Sequence, residues 1–178
     1  MKRKFDFVLS QNSYHRDIFR FYPRSSDVHS FNDDPPKNWD EVYKVYYSWA
    51  IIRQYFDDDI EGKIASEESE VLLDMGLDEC SRIPELSEII KSVILTGKPF
   101  DYPTFGQPAG DWYVAQGNGR YDWDKNKYDE DYKYYNFRVF NNWTNQGYRF
   151  TLDKEIALKF CDYLDMINDY ALKHGKGI

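Results

Sequence analysis

The sequence predicts an α+β protein: a small antiparallel sheet, made of N-terminal strands and a late hairpin, packed by three to four helices. Three observations predict it. Short alternating runs near the N-terminus and around residues 134–152 read as strands. Apolar residues recur at spacings of three and four over 42–56 and again over 157–171, which reads as helices with one buried stripe. The order is strands, helices, strands, helix, without the regular alternation of a parallel sheet.

Taken in order, residues 4–10 set Phe5, Phe7 and Leu9 on one face and Asp6 on the other, a first strand. Gln11-Asn12-Ser13 supplies a turn, and residues 14–22 form a second strand ended by Pro23. Residues 25–37 hold Asp33-Asp34-Pro35-Pro36, through which neither element continues. Asn38 caps a first helix, with Glu41 three residues on as in a capping box. Its stripe is Val42, Val45, Tyr46, Trp49, Ile52 and Phe56. Ser66 caps a second helix, with Glu67 and Glu68 at its positive end and Gly76 at its close. Pro84 opens a third over 84–95, closed by Gly97 and Pro99. Residues 100–120, with Gly106, Gly110, Gly117 and Gly119, read as a loop, and 122–133 as a polar, tyrosine-laden stretch. Residues 134–143 and 148–152 pair around Thr144-Asn145-Gln146-Gly147. Asp153 or Thr151 caps the last helix, whose stripe is Ala157, Phe160, Cys161, Leu164, Ile167 and Ala171. Residues 1–178 fit a single domain, with a helical acidic sub-lobe over 38–98.

Composition narrows the function classes. No segment is long and apolar enough to span a membrane, and Met1-Lys2-Arg3-Lys4 is followed by alternating Phe5-Asp6-Phe7 instead of an apolar run. The expectation is a cytoplasmic protein without membrane contact. Two cysteines, Cys80 and Cys161, are too few for a disulfide scaffold, and Cys161 reads as a buried free thiol. Aromatics reach 19%, enough to supply both a core and an interface.

Charge is concentrated. Residues 57–88 carry twelve acids against Lys63 and Arg82, a net −10 within a chain of net −8. Self-repulsion of that size is offset by a cation or a basic partner. A calcium reading takes residues 57–68 as resembling an EF-hand loop. Asp57, Asp59 and Glu61 fall at its first, third and fifth places, Gly62 at the sharp turn and Glu68 at the bidentate position. Glu61 is long for its place and Ala65 offers no side-chain oxygen. The plain alternative is a solvated turn between two helices. A binding reading takes Asp57, Asp58, Asp59, Glu61, Glu67, Glu70 and Asp74 as a face that imitates a phosphate backbone on a basic groove. Trp112, Tyr113, Trp123 and Tyr128 would anchor the contact. Acids interleave with the bases around those aromatics, so direct nucleic-acid binding fits less well than protein binding.

A third reading is an RNA-acting enzyme using His15 as general base with Arg16 and Arg20. No nucleophile elbow, phosphate loop or metal-spaced histidine pair accompanies it. In overall character the acidic, Tyr- and Asp-rich chain resembles inhibitor proteins of phages and mobile elements, of the anti-CRISPR and anti-restriction kinds. The stretches 148–153 and 168–175 share that character. The resemblance implies an inhibitor of a nucleic-acid-processing enzyme, such as a CRISPR or restriction nuclease. It carries over no catalytic residue and no cofactor.

Overall fold

The computed structural model describes residues 5–23, 46–59, 61, 63–74, 78–79, 82–102, 111–141 and 144–175. Among them are nine strands in two antiparallel sheets and two helices, so the predicted three to four helices on one small sheet are corrected to a mostly β fold. Sheet A orders β1 (Phe5–Gln11), β2 (His15–Pro23), β3 (Tyr46–Phe56) and β4 (Ile64–Asp74). The short β5 (Asp78–Glu79) pairs with β3 beyond the end of β4. Helix α1 (Arg82–Thr96) follows. Sheet B orders β6 (Phe100–Tyr102), β7 (Asp111–Asp122), β8 (Lys127–Asn141) and β9 (Gln146–Asp153), and α2 (Lys154–Gly175) ends the described chain.

The predicted first helix is β3 over its described part; Asn38, Glu41, Val42 and Val45 lie outside the described residues. The reason is two-sided burial. Trp49 and Ile51 face the main core, while Ala50 and Ile52 join Ile18 in a second cluster on the opposite face. A strand buried on both faces has a continuous apolar run, and such a run also satisfies helical spacing. The predicted second helix is β4, which lies at the end of sheet A's hydrogen-bonded order. Acids on such an edge discourage pairing with other chains, so Glu67, Glu68 and Glu70 suit a strand as well as a helix end. The helical sub-lobe over 38–98 therefore retains one helix, α1, among its described residues.

The loop expected over 100–120 contains β6 and most of β7. Gly117 and Gly119 do not break β7, because a tyrosine occupies the space of each missing side chain. The Tyr134 ring covers Gly117, and the Tyr128 hydroxyl end covers Gly119, which adopts φ +91° at a bulge. The remaining strands and helices fall where expected, except that β8 begins at Lys127, inside the polar stretch over 122–133, and β9 at Gln146, inside the expected turn. Gly97 at φ +69° closes α1 through its N–H to the Val93 carbonyl at 2.8 Å. Of the two proposed caps for α2, Asp153 accepts from the Ile156 N–H at 2.8 Å, while Thr151 bonds Asn136.

Helix α2 lies in the wedge between the sheets. Phe160 touches Phe7 and Phe19 of sheet A and Phe137 and Phe150 of sheet B. Its stripe of Ala157, Phe160, Cys161, Leu164 and Ile167 is wholly buried. Trp49 and Trp112, 5.7 Å apart, join the sheets directly. Cys161 is a free thiol donating to the Ser87 carbonyl of α1, and burial pushes it up to about 11, which leaves it unreactive.

Candidate interaction surface

Strands β7 and β8 outrun their sheet. Strand β6 pairs with β7 only at Trp112–Val114, and β9 pairs with β8 only from Tyr134 to Asn141. Past Gly117 and Tyr134, among the described residues, the two strands have only each other. They continue through Arg120↔Asp129, Tyr121↔Tyr128 and Asp122↔Lys127 to a four-residue turn. At about 3.3 Å per residue this arm extends roughly 20 Å beyond the sheet.

An isolated two-stranded ribbon is marginal in water, and side chains along the arm supply its support. The Arg120 guanidinium lies 4.2 Å over the Tyr132 ring, which stacks on Tyr134. At the tip, Tyr121 and Trp123 meet edge to face at 4.6 Å, and Tyr121 donates to the Asn126 side chain. Each cross-strand or ring contact of this kind contributes about 0.2–1 kcal/mol. The turn is fixed by the Asp122 carboxylate, which accepts from the Asp124 and Lys125 N–H groups. The Lys125 backbone bond holds that carboxyl below its ordinary value despite slight burial. Asn126 takes the left-handed conformation at φ 48°.

Tyr121 and Tyr128 are opposite in register, share a face, and belong to neither core cluster of the described residues. Tyr121 is 37% exposed, Tyr128 52% and Trp123 82%. Trp123 is thus an exposed tryptophan on a paired ribbon, with Tyr121 as its ring neighbour among the described residues. The arm carries Arg120, Lys125, Lys127 and Lys133 against Asp122, Asp124, Asp129, Glu130 and Asp131.

The structure separates the four expected aromatic anchors. Trp123 and Tyr128 stand on the arm. Trp112 is a core residue, 6% exposed, packed on Trp49 and Phe150. Tyr113 is half-buried on the outer face of sheet B beneath Arg138, 4.9 Å from its ring. Tyr121 belongs to the aromatic-rich stretch of the sequence but not to the four expected anchors; its signal is a tyrosine on each side of Asp122-Trp123-Asp124-Lys125-Asn126-Lys127, a turn flanked by cross-strand partners.

The acids divide similarly. Asp57, Asp58, Asp59 and Glu61 sit at the β3–β4 turn, where the Asp57 N–H bonds the Lys63 carbonyl and Asp57 lies 3.9 Å from the Lys63 ammonium. Asp58, Asp59 and Glu61 are exposed. Glu70 accepts from the Tyr55 hydroxyl, Asp74 is exposed, and Glu67 and Glu68 lie within β4. The described residues of 57–68 are thus a turn running into a strand. The helices that an EF-hand sets on both sides of its loop are strands here, which corrects the helix–loop–helix frame of the calcium reading.

His15, Arg16 and Arg20 do not converge. Along β2 alternate residues change face, so His15 lies with Asp17 and Arg16 lies with Arg20 on the other side. Arg20 is clamped in two hydrogen bonds by Asp6, and Arg16 donates to Gln54. The polar group between the sheets is a further feature the sequence reading does not reach. Asp17, 2% exposed, accepts a two-toothed bond from Arg53 at 2.8 and 2.9 Å and another from the Tyr148 hydroxyl of sheet B. Burial pushes the Asp17 carboxyl upward, but Arg53 and Tyr148 outweigh it and hold it below its ordinary value. Its signal is an acid at the same strand parity as Phe19 and Phe21.

Comparison with known protein families, with characterised proteins and with solved structures finds no match to this chain. No helix among the described residues is long and apolar enough to cross a membrane.

Proposed function

We propose that this chain is a binding protein that inhibits a nucleic-acid-processing enzyme, such as a CRISPR or restriction nuclease, by occupying a basic surface. The observation that carries the reading is the arm: an ordered, projecting ribbon that ends in an exposed tryptophan. A side chain of this kind contributes affinity only when a partner covers it. The mixed charge of the arm favours a protein over a nucleic acid, because five carboxylates would face the phosphates. The exposed acids at the β3–β4 turn add long-range attraction to a basic groove, and that attraction weakens as salt rises.

The test is cleavage by a panel of CRISPR and restriction nucleases as the protein is titrated in. The reading expects stoichiometric loss of cleavage by at least one enzyme, relieved by salt. Trp123→Ala should weaken that inhibition by about 2 kcal/mol, roughly thirtyfold. Replacing Asp58, Asp59 and Glu61 together with Asn or Gln should flatten the salt dependence. Inhibition of no enzyme, or inhibition indifferent to both changes, would contradict the reading.

A further inference from the structure

We infer that the tip of the β7–β8 arm is a receptor for an arginine side chain of a basic partner protein. This rests on the binding-protein reading and names what the tip takes. Around this sheet two aromatic faces already hold the chain's own guanidinium groups, Arg120 over Tyr132 and Arg138 over Tyr113. Among the described residues, no guanidinium or ammonium covers Trp123 or Tyr128. Indole presents the best aromatic face for a cation, and Trp123 is the most exposed of the arm's aromatics. Its orientation is set in advance by Tyr121, itself held by Asn126.

Carboxylates flank that ring in the chain. Asp122 is occupied by the turn and by Lys125 at 3.3 Å. Asp124 directly follows Trp123 and is exposed. A planar guanidinium can stack on an indole and present its N–H edge to a carboxylate at the same time, which an ammonium cannot. An apolar side chain would leave Asp124 without a partner. A stacked nucleobase would bring its phosphates against the arm's acids.

The experiment follows the tryptophan indole N–H resonances of the intact, isotope-labelled chain, with Trp123 assigned from Trp123→Phe. The probes are N-acetyl-arginine amide, its lysine counterpart and the uncharged citrulline counterpart, all at one ionic strength. The expected result is a saturable Trp123 shift with arginine, roughly fivefold weaker binding of lysine and no response to citrulline. Asp124→Asn should weaken the arginine response. No shift with arginine, an equal response to citrulline, or a stronger response to a single-stranded oligonucleotide would overturn the inference. If arginine failed to shift Trp123 while Trp123→Ala still relieved nuclease inhibition, the arginine assignment would fall and the binding-protein reading would stand. An arginine shift without inhibition of any nuclease would support the arginine assignment and remove the nuclease-inhibitor reading.

Discussion

Asp17 shows how one side chain ties the two sheets together. Its carboxylate is enclosed, yet Arg53 from the next strand and Tyr148 from the opposite sheet satisfy it. Burial first, and then the bond to Asp17, raise the Tyr148 hydroxyl well above its ordinary value, so it remains a donor at any working pH. Because the folded carboxyl lies below its ordinary value, Asp17 stabilises the fold at neutral pH. That stabilisation is lost as pH falls through the folded value. Asp17→Ala leaves the Arg53 guanidinium without its counter-charge and should cost about 3 kcal/mol at pH 7. Asp17→Asn should cost less, and its gap from the parent should narrow between pH 7 and pH 3, since the parent loses the charge that the variant already lacks. Urea unfolding at the two pH values measures this; an unchanged gap would mean that the charge contributes nothing.

The elements differ in how openly the sequence declares them. The two helices found are legible because single residues mark their ends: Gly97 closes α1 and Asp153 caps α2. β1 and the β8–β9 hairpin are legible from alternation with one buried face, and β2 from its bounds, the Gln11-Asn12-Ser13 turn and Pro23. β3 is not, since Trp49, Ala50, Ile51 and Ile52 are all buried and alternation disappears. β7 is hidden by glycines whose partners, Tyr134 and Tyr128, lie on another strand and are invisible to local reading. The arm gives this a consequence. At Gly119, φ +91° disfavours any L side chain, and Tyr128 occupies the space a Cβ would need. Gly119→Val should cost about 1–2 kcal/mol within the arm, where no core contacts lie, and leave the body's melting temperature nearly unchanged. Amide hydrogen exchange should then rise over residues 118–132 alone; a matching rise across β2 and β3 would show that arm and body unfold together.

For the molecule as a whole, the division of labour is between a body and an arm. The body's core joins both sheets and both helices, with Phe160 touching each sheet. The acid concentration over 57–88, the sequence's clearest signal, is distributed by the fold over a turn, the edge strand β4, the short β5 and the helix α1. Part of it answers the need to keep an edge strand from pairing. The candidate site is legible in Trp123 and Tyr128 as residue types, but not as a projecting ribbon, because projection depends on where β6 and β9 stop. On this reading the arm carries the anchoring contact, while the body holds it out and adds the long-range attraction of the β3–β4 acids. The most direct measurement is nuclease inhibition by a variant in which residues 119–132 are replaced by Asn-Gly, a two-residue turn suited to joining Asn118 to Lys133. A melting temperature close to the parent's and loss of inhibition are the expected results. Full inhibition by the shortened chain would contradict this reading.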